Sequence, residues 1–373
     1  MQEIGVGIIG SGFMGSAHAL AYRAVGGLFP EVPRPVLRAV ADNVAPAAEA
    51  AAARFGFATW HADWRAVIAD PGVGIVAITT PNVLHRDMAL AAAQAGKHIH
   101  CEKPLAPDAA DARAMRDAAA AAGVVTQVGF SYLKNPLIKL ARDMIAAGEL
   151  GEITGFRGIH AEDYMADPQT PWSWRLDPSG GAGAVADLGS HIIAIARFLL
   201  GPIARLSADL QTIITTRPVA AGAAERRAVA VDDIARLTLR FARGCGGSIE
   251  ANWVATGRKM QLGFEISGSK GALVFNQERL NELLFYATGG DRRHDGYRRI
   301  ETGPQHPPYG RFCVAPGHQL GFNDLKTIEA AEFLAAIGGA PLQGPGFDEA
   351  WEVQKVVDTA VAAAAAQTWL AVP

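Results

Sequence analysis

The sequence predicts an α/β N-terminal domain on a doubly wound parallel sheet, residues 1–130, followed by an α+β domain with a large, mainly antiparallel sheet, residues 131–373. Three observations carry this. A short apolar strand, Ile4–Ile9, runs straight into Gly10-Ser11-Gly12-Phe13-Met14-Gly15 and an Ala-rich helix. Up to about Phe130, apolar runs without alternation, such as Ile75-Val76-Ala77-Ile78, take turns with helical segments, as in parallel strands buried on both faces. Beyond about residue 200, two-residue alternation with short turns signals antiparallel strands.

The elements follow in order. The glycine motif after the first strand has the form of a dinucleotide (Rossmann) loop. Gly10 allows the tight turn, Gly12 lets a pyrophosphate approach the backbone, and Gly15 lets the helix pack close to the strand. Free N–H groups and the positive helix end then meet the phosphates, with Phe13 and Met14 in the same turn. A second strand, Val36–Ala41, ends at Asp42, where the adenosine ribose would lie. A carboxylate there accepts from a diol and repels a 2′-phosphate, which favours NAD over NADP; Asp42 is also placed to cap the next helix, Pro46–Phe55. A short strand is expected at Phe57–Thr59 and a capped helix at Asp63–Ile68. The strand Gly74–Thr80 leads into Pro81-Asn82-Val83-Leu84-His85. Ligands of such sheets bind beyond the C-terminal strand ends, so Thr79, Thr80, Pro81, Asn82 and His85 are expected on the cofactor side, His85 being equally placed to cap a helix. The strand Lys97–Cys101 ends in Glu102-Lys103-Pro104, a charged pair where water or a ligand is expected, with a cis bond allowed before the proline; a strand-end salt bridge is the alternative. A helix at 108–122 and a strand at 124–130 close the first domain.

In the second domain a helix from Asn135 to Ala147 precedes a strand at Gly151–His160. Trp172-Ser173-Trp174-Arg175 sits in a Pro-flanked loop, and one helix is expected from about Gly180 to Leu200. Strands are expected at 204–216, 231–241, 246–255, 261–268 and 271–276, then a long ordered loop at 289–317 and amphipathic helices at 323–337 and 348–366. Asp187 and His191 are four apart, on one face of the expected helix. Removing a hydride from an alcohol needs a base for the hydroxyl proton and a donor for the oxygen. His191, Lys103 and Asp187 have the right chemistry. A helix cap and a packed histidine are the alternatives for Asp187 and His191.

Composition narrows the partners. The net charge of −3 gives no basic surface for nucleic acid or anionic membrane. Cys101, Cys245 and Cys313 make neither a disulfide framework nor a zinc spacing, so no metal is expected. With no charged-then-apolar leader at Met1 and no spanning apolar run, a cytoplasmic location is expected.

Gly10-x-Gly12-x-x-Gly15, Thr79-Thr80-Pro81-Asn82-x-x-His85, Glu102-Lys103-Pro104 and Asp187-x-Gly189-x-His191 occur here in one order and spacing. Together with Glu329-x-x-x-Phe333-x-x-x-Ile337 they resemble the Gfo/Idh/MocA oxidoreductases. The resemblance implies NAD as cofactor, Lys103, Asp187 and His191 as the catalytic set, and a homotetramer, which would also cover the open face of a one-sided sheet. It includes Glu102 in the cofactor site. The segment His160-Ala161-Glu162-Asp163-Tyr164 and Trp174-Arg175 resembles the inositol and sugar branch, with directional partners for hydroxyls (His160, Asp163, Arg175) and aromatic walls (Tyr164, Trp174). Each of these is equally placed as a surface or interface residue, and Arg175 as a partner for Asp177 in a plain turn. The implied reaction is oxidation of a ring hydroxyl of scyllo-inositol, with L-glucose and myo-inositol as further substrates. Levoglucosan or another sugar is the alternative within the family, and a non-catalytic NAD(H) sensor the alternative outside it. Where many inositol dehydrogenases have a further aspartate, this chain has Ala194. His318, after the long loop, is expected to reach a substrate hydroxyl in its own or a neighbouring subunit's site, an ordered interface loop without ligand contact being the alternative.

Overall fold

The computed structural model describes residues 3–181 and 183–373, which form two compact units. The first comprises the chain up to Lys134 together with Leu320–Glu352; the second comprises Asn135–Gln319 and Val353–Pro373. The chain thus returns to the first unit late, which a single break near residue 130 does not anticipate.

The first unit runs β1 (Glu3–Ile9), α1 (Phe13–Leu28), β2 (Arg34–Ala41), α2 (Ala45–Phe55), β3 (Thr59–His61), α3 (Trp64–Ala69), β4 (Ile75–Ile78), α4 (His85–Gln94), β5 (His98–Cys101), α5 (Ala109–Ala122) and β6 (Thr126–Val128). Its six strands are all parallel, in the order β3-β2-β1-β4-β5-β6. That order reverses direction at β1, so the C-terminal ends of β1 and β4 flank the switch point where such sheets bind ligands. β4 is buried along its whole length, as its unbroken apolar run requires. β3 starts two residues later than expected. Gly56 ends α2 in the left-handed region (φ 73°) and Phe57 N still bonds Ala52 O, so sheet pairing begins only at Thr59.

The second unit contains α6 (Pro136–Ala146), β7 (Ile153–Ala161), α7 (Ala184–Asp187), α8 (Gly189–Leu200), β8 (Ile203–Gln211), β9 (Thr216–Pro218), β10 (Arg226–Ala228), β11 (Ile234–Phe241), β12 (Gly246–Asn252), β13 (Gln261–Gly268), β14 (Gly271–Asn276), β15 (Glu282–Ala287) and β16 (Arg298–Glu301). Then α9 (Phe322–Ile337) belongs to the first unit, α10 (Phe347–Ala366) begins there, and β17 (Leu370–Ala371) closes the second. Nine strands form one sheet, β16-β15-β14-β13-β7-β12-β11-β8-β17. Only β7 and β12 pair in parallel; all other neighbours are antiparallel. α8 lies close on this sheet: a Cβ on Gly158 would sit 2.6 Å from Ile192.

Two expectations change here. The long loop contains β16, an edge strand whose Arg-Arg-Ile-Glu sequence is polar because it has one strand neighbour and solvent beyond. The helix expected at 180–200 is two helices, broken at Leu188, so Asp187 and His191 do not share one helix face.

Candidate active site

The cofactor loop has the geometry its glycines imply. Gly10 has φ +96°, and a Cβ on Gly15 would lie 2.0 Å from the Gly10 carbonyl. A Cβ on Gly12 would meet no atom within 4 Å, leaving room where a pyrophosphate needs it. The α1 N-terminus has no side-chain cap and no acidic residue in its first turn, so nothing anionic competes for its N–H groups. Phe13 is exposed and stacks on Phe322 at 5.7 Å, while Met14 is half-buried. Asp42 accepts from Ser11 N (2.9 Å), Ser11 Oγ (2.7 Å) and Val44 N (3.0 Å), and so both caps the next turn and ties the glycine loop to β2. Burial raises its pKa, but the Ser11 hydroxyl and the two N–H groups outweigh that and hold it below the usual carboxylate value. These residues fit NAD: open backbone for the phosphates, a charged acceptor at the end of β2.

The Thr79 hydroxyl donates to Gly10 O (2.8 Å), bracing the loop from β4. Thr80, Pro81 and the buried Asn82 continue that strand end. His85 is fully buried with its ring nitrogens against Thr80 O (2.9 Å) and Leu105 O (3.1 Å). It ties the segment after β4 to the segment after β5 and presents no edge to a ligand. Lys103 is half-buried and followed by a cis peptide bond to Pro104. Glu102 turns inward: it is 5% exposed and paired with His18 Nε2 (2.9 Å) and Lys326 Nζ (2.8 Å). Its place in the cofactor site is therefore indirect.

In the second unit, Asp187 Oδ2 accepts from Tyr164 Oη (2.7 Å) and Arg175 Nε (3.3 Å). Arg175 lies over the Trp174 ring at 4.5 Å, so its partner is Asp187; Asp177 faces Arg227 and Ser179 instead. Desolvation of the hydroxyl and the Asp187 carboxylate it bonds hold the Tyr164 hydroxyl well above its ordinary pKa, although the residue as a whole is 40% exposed, and keep it a donor. Tyr164 also packs edge-on to buried Trp253, whose Nε1 donates to Asp233. His191 is 7% exposed, with its ring 5.5 Å from that of His160. His160 is 1% exposed, and its nitrogens meet Leu188 O (2.9 Å) and Glu162 Oε1 (3.0 Å). It supports the break between α7 and α8 rather than offering itself to a substrate. Asp163 bonds Lys259 Nζ (2.7 Å) and Gly257 N. His318 is exposed, and its backbone N–H donates to the hydroxyl of buried Tyr309, which pins the loop.

Sequence reasoning missed Asp232. Its carboxylate accepts from Gly183 N and Val185 N, both at 2.8 Å, and its carbonyl from Ala184 N, clamping the start of α7. Two adjacent acids opening an apolar strand were the available signal.

Residues 4–130 match the family description "Oxidoreductase family, NAD-binding Rossmann fold", and residues 138–274 match "GFO/IDH/MocA C-terminal domain". The chain belongs to the Gfo/Idh/MocA oxidoreductases. It is similar to levoglucosan dehydrogenase of Pseudarthrobacter phenanthrenivorans, 41% identical with 100% of this chain and 99% of that protein covered. It is similar to scyllo-inositol 2-dehydrogenase (NAD(+)) of Bacillus subtilis at 28% identity, covering 90% of this chain and 86% of that one. The solved structure of levoglucosan dehydrogenase in complex with NADH and levoglucosan superposes with a TM-score of 0.96 at 40% identity, covering 100% of both chains. This Gfo/Idh/MocA protein is an NAD-binding oxidoreductase, as its glycine loop and Asp42 imply. Among the described residues no single helix is long and apolar enough to cross a membrane.

Proposed function

We propose that this protein oxidises one ring hydroxyl of levoglucosan, or of a closely similar pyranose, to the ketone with NAD. The observation that carries this is full-length similarity: 41% identity to levoglucosan dehydrogenase against 28% to scyllo-inositol 2-dehydrogenase. The weight thus moves from the inositols, which the motifs alone favour, to an anhydrosugar. Asp187, Tyr164, Arg175 and Trp174 support it, since a charged acceptor, a guanidinium and aromatic faces suit a hydroxylated ring with apolar C–H faces.

Lys103, Asp187 and His191 are the proposed catalytic set. His191 takes the hydroxyl proton, Lys103 donates to the oxygen as the carbonyl forms, and Asp187, held by Tyr164 and Arg175, orients the substrate. NAD, when bound, supplies the hydride acceptor. Thr79, Asn82 and Asp42 shape its site. His318 is kept as a proposed contact to a substrate hydroxyl. The protein is further proposed to work in the cytoplasm as a homotetramer. Exposed Arg157, Arg236, Thr238, Arg240 and Glu265 on the nine-stranded sheet offer a polar face for a second copy, and light scattering reads the assembly directly; a monomer at micromolar concentration removes it.

NADH formation with levoglucosan, scyllo-inositol, myo-inositol and L-glucose tests the substrate. Levoglucosan is expected to give the highest kcat/KM. A higher value for an inositol overturns the substrate assignment and leaves the dehydrogenase reading standing; no turnover with any polyol or sugar overturns both.

A further inference from the structure

Behind the Glu102-Lys103-Pro104 corner lies a charged cluster shut away from solvent. His18 comes from α1, His100 and Glu102 from β5 and its end, and Lys326 and Glu329 from α9; each is between 0% and 5% exposed. Lys326 Nζ donates to Glu102 Oε1 (2.8 Å) and Glu329 Oε1 (2.7 Å). His18 Nε2 lies 2.9 Å from Glu102 Oε1, and His100 Nε2 2.9 Å from Glu329 Oε1. Carboxylates only accept, so both histidines carry their proton on Nε2. His100 Nδ1 then accepts from the Tyr22 hydroxyl at 2.9 Å.

The ligand atoms of His18, His100 and Glu329 lie within 4.8 Å of one another, close enough to raise a metal site. The Lys326 ammonium decides against it, because it already bonds the carboxylates that a metal would need. The cluster therefore holds two carboxylates and one ammonium, beside a neutral His18 and a His100 whose pKa burial lowers. His18 stays neutral because burial, and then the Lys326 charge, lower its pKa to about 3. Glu329 Oε2 and His18 Nδ1 have no partner although both are buried. Sequestering an uncompensated charge and orphaned polar atoms is costly for packing alone. What the cluster achieves is a three-way tie: α1, whose N-terminus faces the pyrophosphate site, the end of β5, and α9. Glu102 Oε2 in turn faces Lys103 N at 3.3 Å.

We propose that Lys326 is a positioning residue: it fixes Glu102, and through it the backbone of Lys103, in register with the pyrophosphate-binding helix α1. This rests on Lys103 as the group that donates to the reacting oxygen. It assigns α9, distant in sequence, a part in aligning the lysine.

The test compares Lys326→Met, Glu102→Gln/Lys326→Met and Lys103→Ala in the full chain, by thermal melting and steady-state kinetics. Lys326→Met is expected to lower kcat by roughly tenfold to a hundredfold, the cost of a misplaced catalytic group, with little change in KM for NAD. It also leaves unpaired buried charge and lowers Tm. The double variant removes the Glu102 charge as well, leaving only Glu329 without its ammonium, so its Tm is expected to recover in part while kcat stays low. Wild-type kcat in folded Lys326→Met overturns the proposal. So does recovery of kcat together with Tm in the double variant, which is what a merely structural role gives and which reads even if the single variant fails to fold. Near-normal kcat in Lys103→Ala overturns the underlying role of Lys103, and the inference with it.

Discussion

Asp187 owes its place to two donors, Tyr164 and Arg175, that reach it from other parts of the chain. Removing the Tyr164 hydroxyl takes one of these two donors from the carboxylate and loosens its hold. A hydrogen bond to a charged acceptor contributes about 1.5 kcal/mol, or about tenfold. Tyr164→Phe should therefore lower kcat/KM for the sugar about tenfold, with little change in KM for NAD or in Tm, because the ring keeps its packing on Trp253. An unchanged kcat/KM in steady-state assays would remove Asp187 orientation from the mechanism. Asp187 and Arg175 were both legible in the sequence as polar residues in suspicious places; that they face each other was not, since twelve residues and a turn separate them.

At the scale of elements, the site depends on how α7 and α8 break at Leu188. Three contacts define the break. Asp232 clamps the first N–H groups of α7, His160 meets the Leu188 carbonyl, and His191 N donates to that same carbonyl at 3.2 Å. Gly183 is where the clamp closes: a Cβ there would lie 2.1 Å from Asp232 O. Gly183→Ala must push the clamp apart, leaving N–H donors or a buried carboxylate poorly paired. The expected cost is about 2 kcal/mol of stability, with a larger relative loss of kcat than of NAD affinity, since the cofactor loop is in the other unit. Thermal melting and kinetics on the same sample check it; wild-type values for both would mean that the clamp tolerates a methyl group and does not set the break. A continuous helix was the natural reading of an apolar run without proline. Leu188 carries no signal of its own, because the interruption is imposed by partners at residues 160 and 232.

Acid sensitivity belongs to the whole molecule. Burial lowers the pKa of His18, His85 and His100 in the fold, to about 3 for His18. At these sites the folded chain takes up protons at lower pH than the unfolded chain, whose histidines protonate below about 6.5, so stability is full above that pH and falls with acid. For His18 alone the loss between pH 6.5 and 5 is about 2 kcal/mol. Glu329, held near 2 by the Lys326 ammonium and the His100 hydrogen bond against the effect of burial, keeps its contribution until the pH reaches the ordinary carboxylate range and loses it from there down to about 2. Tm should thus decline between pH 6.5 and 5, before the carboxylates titrate, and His18→Gln should flatten that decline. A Tm independent of pH over this interval would show that the histidines are not held neutral.

The parallel sheet, the glycine loop, Asp42 and the family were legible in the sequence because each is local: strand period, backbone freedom and helix dipole act within a few residues of their cause. Within the second unit, a strand as polar as β16 and the break at Leu188 were not, because pairing with β15 and the clamp by Asp232 outweigh local preference. Residue types marked the chemistry of His85, Glu102 and His160, but only burial decided where they point. Each was expected to meet a ligand, and each is committed to protein partners, because a polar group folded away from water must find its partner within the chain. Lys326 lies 224 residues from Glu102 and Glu329 lies 229 from His100, separations at which no sequence period operates. The sequence by itself determined the cofactor loop and the kind of chemistry; the tertiary structure decided which polar side chains are spent on holding it in place.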